Sequence, residues 1–383
     1  MPVPSIVVGQ SGERHDPPAA AEIATLAGDP ARLAVERCIA ELRAARPVLL
    51  TDEKGDRWAL AAAETADADL LSFFRRSPGG ALVLSPTRLR YLGRITDLPL
   101  GFDISGWSDR QIADACVAEQ AALPSEIVAI GAAGIPAIDL VKRAQLAPAA
   151  LVAPVAAGDA AGLMTVDAAS IAAFHDRVAE TLTIAARARV PLLDSHITDF
   201  VVFHGGDGLK DQVAIVIGDP DPSRPVPVRL HSACLTGDLF GSLKCDCGEQ
   251  LRLAIRNIAG IGGGVLLYLD QEGRGIGLRS KIRTYRLQED GHDTVESDAI
   301  LGFGPDERRY AIAGRMLTLL GLHEIDMLTN NPDKIGAMER AGLVVSGNQR
   351  LLGTVNAHNR KYLATKAAKA GHRLESLQLT GTF

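Results

Sequence analysis

The pattern of apolar and polar positions in the first half of the chain predicts short strands separated by capped helices. A helix begins at Pro30, behind Asp29 as its N-cap, and stops before Pro47. Other strands are predicted from short apolar runs, and other helices from capping residues that precede apolar periodicity. The strands cover 48–50, 81–84 and 151–153, and the helices run from Ser108 to about Ala122, from Pro136 and from Thr165.

The pattern changes near Pro191, after which strands and helices alternate. Val213, Ile215 and Ile217 alternate with smaller or polar residues, which predicts a half-buried strand. Further strands are predicted at 226–230, 265–269, 324–328 and 343–345, with helices over about 251–258, from Pro305 and from Pro332. The alternation indicates an α/β (mixed α+β) protein of two domains, each a sheet packed with helices.

Length and composition agree with a multidomain globular protein. The 383 residues are 47% apolar and 22% charged, and a prior of roughly 150 residues per domain gives two or three domains. We expect a flexible leader over 1–29, a first domain over 30–195 and a second domain over 196–383.

Net charge and cysteine content limit the binding partners and the cellular compartment to be expected. A net charge of -6 disfavours binding to nucleic acid or anionic membrane, because phosphate backbones require a basic excess. No apolar run approaches the ~18 residues of a membrane helix, and the N-terminus lacks the layout of a signal peptide. Five cysteines, an odd number, fit a reducing cytoplasm, in which clustered cysteines more often bind metal than pair.

Cys234, Cys245 and Cys247 form such a cluster, with the spacing C-x10-C-x-C. Three thiolates are one short of a closed tetrahedral zinc site, whereas a catalytic zinc keeps one position for water. Two other interpretations stay open: buried free thiols, and a closed structural zinc with His231 as its fourth ligand. A catalytic zinc lowers the pKa of bound water to about 7, which suits hydrolysis at an electrophilic carbon.

Three segments are candidates for binding phosphate. The sequence QEGRGIG at 271–277 follows a predicted strand, and its glycines let backbone amides approach an anion, although a tight turn with a solvated Arg274 explains it as well. The helix predicted from Pro305 has an N-terminus that favours anions, although its acidic residues would also serve as caps. Lys334 lies in the first turn of another predicted helix, where it opposes the dipole and a ligand would explain it better.

Taken together, these residues closely resemble GTP cyclohydrolase II, the first enzyme of riboflavin synthesis. The resemblance runs from about Ile197 to Gly371 and is carried by RLHSACLTGDLFGSLKCDCGEQL, LYLDQEGRGIGL, KIRTYRLQ, DTVES, LGFGPDERRY and LTNNPDKI. It implies opening of the imidazole ring of GTP with release of formate and pyrophosphate. The implied product is 2,5-diamino-6-(5-phosphoribosylamino)pyrimidin-4(3H)-one.

The resemblance also implies roles for individual residues. One Zn²⁺ per subunit would lie on the three clustered cysteines, its water would attack C8 of the base, and Asp306 would accept a proton. Arg308 is the family's nucleophile toward the α-phosphate, but a guanidinium stays protonated at neutral pH, so stabilising the leaving pyrophosphate is the better physical role. Tyr285 would position the substrate. The implied contacts to GTP are Arg229, Leu230, His231, Ser232, Ala233, Gln250, Glu272, Gly273, Arg274, Thr294, Thr329 and Lys334. Mg²⁺ would accompany the triphosphate, and the family implies a homodimer.

One position departs from the cyclohydrolase pattern. Ala233 stands where the family commonly has Glu, directly before the first cysteine of the cluster. A missing carboxylate there would change a substrate contact or a bond to a metal ligand.

The first half resembles a second enzyme family but lacks that family's metal-binding residues. Residues 42–93 and 136–155 are similar to 3,4-dihydroxy-2-butanone 4-phosphate synthase, which is often fused ahead of the cyclohydrolase. That family needs an acidic cluster for divalent metal, whereas the loop here reads TDEKGDRW at 51–58 and its G-H-T-E motif is replaced near 134–137. We therefore expect an inactive relic domain, with Asp52, Glu53 and Asp56 in a solvated turn.

Three alternatives to a single-activity cyclohydrolase remain at this point. The chain could be bifunctional, with an active synthase half. It could be a non-catalytic nucleotide-binding protein with structural zinc, although Asp306, Arg308 and Tyr285 would then have no purpose. It could also be a cyclohydrolase that leaves the formyl group on its product.

Overall fold

The computed structural model describes residues 28–156, 162–205, 211–351 and Asn359, so residues 1–27 of the predicted leader lie outside it. The helices of the first half are α1 (Pro30–Arg43), α2 (Ala68–Arg76), α3 (Pro86–Tyr91), α4 (Asp109–Val117), α5 (Gly134–Arg143) and α6 (Ala168–Glu180). Its strands are β1 (Val48–Thr51), β2 (Arg57–Ala62), β3 (Ala81–Leu84), β4 (Leu100–Asp103), β5 (Ala149–Pro154) and β6 (Thr165–Asp167).

These strands form a mixed sheet in the order β4-β3-β5-β2-β1-β6, in which only the β1–β6 pair is parallel among the described strands. Successive residues of a strand face opposite sides of a sheet. In β5, Ala150 and Val152 accordingly pack with α1, α5 and α6, whereas Leu151 and Ala153 pack with α2 and α4. The first half is therefore a sheet covered by helices on both faces.

The second half is built in the same way around a second sheet. Its helices are α7 (Cys247–Ile261), α8 (Gly277–Glu289), α9 (Thr294–Ile300), α10 (Ala311–Leu319) and α11 (Pro332–Arg340). Its strands are β7 (Thr183–Arg189), β8 (Thr198–His204), β9 (Gln212–Gly218), β10 (Val226–Ser232), β11 (Gly263–Leu269), β12 (Glu324–Leu328) and β13 (Val344–Gln349). Two sheets with helices on them confirm the predicted mixed α/β class.

The order of the second sheet is β13-β12-β10-β11-β9-β8-β7. Strand β10 lies between β11 and β12 and is parallel to both. The chain therefore adds β11 on one side of β10 and later adds β12 on the other side. The carboxyl ends of these three strands meet at one edge of the sheet. Open α/β sheets bind ligands outside the carboxyl ends of the strands, at such a reversal of strand order.

The structure corrects several boundaries. Strand β7, which lies before the predicted boundary at 195, pairs with β8 in the second sheet. The helix predicted from Ser108 to about Ala122 starts at Ser108 with a capping box but ends at Val117. Thr165 does not cap a helix; it begins β6, and Asp167 caps α6 instead.

The helix predicted from Pro305 begins only at Ala311. Residues ahead of it are held by bonds that compete with helix formation. The carboxylate of Glu307 accepts from the Gly304 N–H at 2.7 Å, and the Glu307 N–H donates to the carbonyl of Arg274 at 3.0 Å. This segment is an irregular loop beside the 271–277 loop.

Asp52 was predicted to lie in a solvated turn, and that prediction is wrong. Its side chain is buried, and its carboxylate accepts from the backbone N–H groups of Lys54, Asp56 and Ala132 and from Nε1 of Trp58. Burial raises the pKa of Asp52, but these hydrogen bonds outweigh it and lower the pKa. Asp52 therefore organises its own loop.

The two halves are joined by partly exposed ion pairs. The carboxylate of Glu64, on the first half, lies 2.8 Å from Arg283 and 3.1 Å from Arg279 on α8. The ammonium of Lys142 on α5 lies 2.6 Å from the carboxylate of Glu307. Among the described residues, no helix is long and apolar enough to cross a membrane.

Candidate active site

A cavity opens at the carboxyl ends of β10, β11 and β12. It holds about 1200 Å³ of empty space, part of it open to solvent. The structure brings nearly all the predicted site residues to its walls: Arg229, His231, Ser232, Ala233, Cys234, Cys245, Cys247, Gln250, Glu272, Gly273, Arg274, Tyr285, Thr294, Asp306, Arg308, Thr329 and Lys334. Leu230 is the exception, because its side chain packs in the core below.

The three clustered cysteines lie at one end of this cavity. Cys234 follows β10, whereas Cys245 and Cys247 lie at the start of α7. Their sulfur atoms all lie within 4.8 Å of one another. In the described ranges no fourth His, Cys, Asp or Glu joins this group.

The geometry of the thiols fits zinc. Around a tetrahedral ion with Zn–S bonds of about 2.3 Å, neighbouring sulfurs lie about 3.8 Å apart. The sulfurs of Cys234 and Cys245 are 3.7 Å apart. Gly237 closes the cluster from one side, since a Cβ atom there would meet the sulfurs of Cys245 at 2.8 Å and of Cys234 at 3.0 Å.

His231 does not complete the cluster. Its Nε2 lies 3.1 Å from both carboxylate oxygens of Asp238, and its ring stacks on Tyr268 with centroids 5.6 Å apart. Asp238 also accepts from the Tyr268 hydroxyl at 2.9 Å and from the Cys234 N–H at 2.9 Å. A closed structural site that uses His231 therefore does not match the geometry.

Lys281 gives the cluster a positive neighbour. Its ammonium donates to the sulfur of Cys234 at 3.0 Å and to the carboxylate of Glu272 at 2.8 Å. Hydrogen bonds from the other two cysteines, and then from Lys281, lower the pKa of Cys234. Burial would lower the pKa of Lys281, but its bonds to Cys234 and Glu272 outweigh burial and raise it. A thiolate and an ammonium therefore coexist at neutral pH, and the thiolate is the form that binds metal.

Replacing Gly237 with Ala should weaken metal binding without unfolding the protein. The new Cβ would push two sulfurs apart, and we expect zinc affinity to fall about 10–100-fold, as for other disturbances beside a metal's ligands. The measurement is competition with a zinc chelator. The matched control is Gly260→Ala, where no atom lies within 4 Å of the new Cβ. Equal zinc affinity in the two variants would contradict the prediction that the absence of a side chain at Gly237 keeps the sulfurs in place.

The loop at 271–277 is a tight turn rather than a regular phosphate loop. Gly273 and Arg274 both have left-handed backbone angles, with φ of 61° and 62°. The guanidinium of Arg274 forms an ion pair with Asp298, which is buried. Burial raises the pKa of Asp298 to about 7, against the opposing effect of Arg274.

The carboxylate of Glu272, in the same loop, is hydrogen-bonded to other protein groups. Its carboxylate accepts from the Leu235 N–H at 2.6 Å as well as from Lys281. The predicted contact of Glu272 with substrate therefore competes with bonds that hold the cysteine loop.

Asp306 and Arg308, which also line the cavity, form an ion pair. The Arg308 Nε donates to the Asp306 carboxylate at 2.8 Å. Burial raises the pKa of Asp306, but the bond from Arg308 outweighs burial and lowers it, so the carboxylate is ionised at neutral pH. Tyr285 lies next to the thiol end, with the ammonium groups of Lys244 and Lys281 at 5.0 and 5.7 Å from its ring centre, and burial raises the pKa of Tyr285 to about 12.

Arg229 and Lys334 in the cavity lining are held by hydrogen bonds to neighbouring strands and helices. Arg229 donates to the Leu328 carbonyl at 2.9 Å and to the Gln250 side chain at 2.6 Å. The Lys334 ammonium donates to the Leu230 carbonyl at 2.7 Å and lies 5.8 Å from the ring centre of Tyr310. The hydrogen bond to Leu230 thus holds Lys334 in its position at the start of α11, where its charge opposes the helix dipole.

Three more of the predicted residues lie around the rim and floor. The Ala233 N–H donates to the Leu269 carbonyl at 2.8 Å, which continues the pairing of β10 with β11. The Thr329 hydroxyl accepts from the Asn331 N–H at 3.0 Å, and the Thr294 hydroxyl accepts from the Gln288 amide at 3.4 Å.

Residues that line this cavity also carry buried polar atoms without hydrogen-bond partners. Within the described ranges, the Arg229 Nε, the His231 Nδ1 and the Ser232 hydroxyl have no hydrogen-bond partner. Buried polar groups in proteins are nearly always bonded to protein, water or ligand. The unsatisfied atoms therefore indicate a polar ligand or ordered water on this wall.

Sequence reasoning missed two residues of the site. Lys281 lies four residues before Tyr285 on α8, and that helical spacing could have placed it on the same face. Asp238 carried no signal, because its role depends on the approach of His231 and Tyr268 from neighbouring strands.

The fold and the site thus define a two-domain α/β protein with a three-cysteine metal centre candidate in a cavity at the carboxyl ends of β10, β11 and β12. Comparison with known proteins gives the family. The family model described as GTP cyclohydrolase II matches residues 184–350. A curated GTP cyclohydrolase-2 of Xylella fastidiosa (strain Temecula1) is 41% identical over 354 residues, which cover 91% of this chain and 89% of that protein.

Other relatives agree. A GTP cyclohydrolase-2 of Azospirillum brasilense is 39% identical over 88% of this chain and 93% of that protein. The riboflavin biosynthesis protein RibBA of Bacillus subtilis is 54% identical, over 43% of this chain and 42% of that protein. A solved two-domain 3,4-dihydroxy-2-butanone 4-phosphate synthase of A. baumannii is similar at 16% identity and a TM-score of 0.31, over 84% of this chain and 99% of that chain.

The chain belongs to the GTP cyclohydrolase II family, hydrolases of riboflavin biosynthesis. The relatives from Xylella and Azospirillum match most of the first half as well as the second.

Proposed function

We propose that this chain opens the imidazole ring of GTP by zinc-dependent hydrolysis and releases formate and pyrophosphate, giving 2,5-diamino-6-(5-phosphoribosylamino)pyrimidin-4(3H)-one. The observation that carries the proposal is the combination in one cavity of three thiols at zinc spacing with an ionised carboxylate and several cationic side chains. Family membership supports the same conclusion.

Cys234, Cys245 and Cys247 would hold the zinc, and Lys281 would keep the first of them ionised. A zinc ion bound there would supply a Lewis acid and acidify water. Its three protein ligands leave a coordination position for water, which a closed structural site lacks.

Asp306 would accept the proton released as water adds to the base. A carboxylate with a lowered pKa is in its basic form at neutral pH, which a proton acceptor requires. Arg308 holds that carboxylate through its Nε and would stabilise the charge of the departing pyrophosphate. Tyr285, on α8 and in the lining of the same cavity as the thiols, would orient the substrate.

The triphosphate would lie toward Arg229, Arg274 and Lys334, with Mg²⁺ shielding its charge. The unsatisfied Ser232 hydroxyl and His231 Nδ1 would supply polar contacts to substrate or to a bridging water. Leu230, Ala233, Gln250, Glu272, Gly273, Thr294 and Thr329 remain proposed contacts from the family pattern. A homodimer in the cytoplasm also remains a prediction.

The direct test is incubation of the full chain with GTP and Mg²⁺, with formate, pyrophosphate and product mass measured with and without a zinc chelator. We expect one formate and one pyrophosphate per product and loss of both with the chelator. A product that keeps the formyl mass would instead support the formylated alternative. Adding ribulose 5-phosphate tests the bifunctional alternative, which the structural role of Asp52 disfavours.

Replacing Asp306 with Asn should lower kcat about 10²–10⁴-fold, the usual contribution of a positioned proton acceptor, and change the KM for GTP little. Formate release under saturating GTP measures the effect. The control is Asp97→Asn, an exposed aspartate on the first half. A variant at Asp306 that kept near wild-type kcat would remove this residue from the mechanism.

A further inference from the structure

A second cleft lies between the two halves and shares only Gln271 with the candidate active site among the described residues. It holds about 910 Å³ of empty space, part of it open to solvent. One wall comes from α5 and α6 of the first half, and the other from the loops that precede α8 and α10 in the second half. Neither the proposed reaction nor the family resemblance uses this cleft.

Arg143, at the end of α5, is the central residue of the cleft. Its side chain is only 7% exposed, and its guanidinium lies 5.5 Å from the ring centre of Phe174. Its Nη2 donates to the Asp139 carboxylate at 3.4 Å, which is a long contact. In the described part of the chain, Nε and Nη1 of Arg143 have no hydrogen-bond partner.

A buried guanidinium with unsatisfied N–H groups requires an explanation, because arginine cannot lose its proton at neutral pH. Buried donors of this kind are bonded by protein, water or ligand in nearly all native structures. The cleft therefore presents unused donor capacity at Arg143.

The charges around Arg143 favour an anion. Arg309, from the second half, is close enough to repel Arg143 and contributes, after burial and against Asp139, to lowering the pKa of Arg143. Burial, and then Arg143 and Arg309, lower the pKa of His175 to about 3, so this histidine is neutral. Two like charges that converge across an interface are stabilised by an anion between them.

Of the described residues, three carboxylates line the cleft together with three cationic side chains, those of Lys142, Arg143 and Arg309. Asp139 makes the long contact with Arg143, and Glu307 is paired with Lys142 at 2.6 Å. Asp270 also lines the cleft, beside Gln212, whose side chain accepts from its N–H at 3.2 Å. The cationic groups that remain for a ligand are Arg309 and the two unsatisfied N–H groups of Arg143.

We propose that Arg143 and Arg309 bind a small phosphate-bearing anion in this cleft, either inorganic phosphate or a phosphate monoester. Arginine is the preferred residue for phosphate oxygens because its planar N–H groups match their geometry. The site joins the halves, and its Arg309 directly follows Arg308 in the chain. A bound anion would thus contact both domains next to the candidate active site.

The test is calorimetric titration of the full-length protein with inorganic phosphate and, separately, with phenyl phosphate, in chloride buffer of constant ionic strength. We expect saturable binding of at least one of the two ligands. The affinity should fall about tenfold or more in Arg143→Met, and also in Arg309→Gln, because each loses charge-assisted hydrogen bonds. Tighter binding of phenyl phosphate would identify a monoester as the ligand, and tighter binding of inorganic phosphate the free anion.

Arg309 is exposed, so its variant should fold even if the buried Arg143 variant does not. The matched control is Arg110→Gln, an arginine whose side chain is 90% exposed on α4 and should leave binding unchanged. If phosphate binds Arg143→Met and Arg309→Gln as tightly as it binds the wild type, its site lies elsewhere, for example in the GTP cavity. That result would overturn the proposal. Absence of saturable binding by either ligand to the wild-type protein overturns it as well.

Discussion

Cys245→Ser should lose bound zinc and the opening of GTP together. Serine replaces a thiolate by a hydroxyl that stays protonated at neutral pH and is a poor ligand for zinc. The remaining sulfurs of Cys234 and Cys247 leave the ion with two protein ligands. Loss of a partner outside the ligand shell costs about 10–100-fold in metal affinity or activity, so removal of a ligand itself should cost more. The measurements are metal content by mass spectrometry and formate release.

The matched control for this variant is Cys116→Ala. Cys116 is buried in the core of the first half, and burial raises its pKa to about 12, so it is an inert thiol rather than a ligand. This control should keep one zinc per chain and normal turnover. If Cys245→Ser still released formate at a near wild-type rate, the three-cysteine metal centre would not be the catalytic one.

The elements of this fold that were predicted correctly are those whose signals are local. Asp29 accepts from the Ala31 N–H at 3.0 Å as the N-cap of α1, and the capping box of Ser108 and Gln111 is formed. The apolar runs at 81–84 and 265–269 became β3 and β11, which are buried on both faces as continuous apolar strands usually are.

The failures occur where distant contacts decide the local structure. Pro305 is a good first helical residue, but Glu307 bonds to Gly304 and Lys142 and the helix starts later. Asp52 lies in a charged stretch, but Trp58 and the Ala132 N–H approach it and make it a buried anchor. Neither outcome can be predicted from neighbouring residues alone, because Lys142, Trp58 and Ala132 belong to other parts of the fold.

The same distinction holds for the site. Spacing alone indicated that Cys234, Cys245 and Cys247 form a group, and the structure brings their sulfurs together. The ammonium beside them was not predicted, because Lys281 reaches Cys234 only through the packing of α8 against the loop after β10. The joint between the halves was not predicted either, and it depends on a residue with no motif around it.

That residue is Arg88 on α3, which is 1% exposed. Its guanidinium donates to the carbonyls of Asp114, Ala115 and Ala118 at the end of α4, at 2.9, 2.9 and 2.6 Å. It also donates to the Ile300 carbonyl at the end of α9, in the second half, at 2.7 Å. Burial lowers the pKa of Arg88 to about 10, so it stays charged at neutral pH, and the negative ends of two helix dipoles compensate that charge.

Arg88→Met should lower the free energy of unfolding by about 3–5 kcal/mol. Four buried carbonyls would lose their donor, and each such group costs about 1–3 kcal/mol before water or relaxation recovers part of it. Because Ile300 belongs to α9 beside the cavity, we also expect the second half to unfold separately from the first. Urea unfolding, followed by the fluorescence of Trp58 and Trp107 for the first half and by zinc release for the second, measures both effects.

Two variants make this prediction specific to the buried joint. Arg90→Met, two residues away on the exposed face of α3, should change stability by no more than about 0.5 kcal/mol. Arg88→Lys should recover only part of the loss, since one ammonium cannot reach the ends of two helices as a planar guanidinium does. If Arg88→Met unfolded with the wild-type midpoint and with coincident signals from both halves, the halves would be held together by Glu64 and Lys142, and Arg88 would be a buried charge without a structural role.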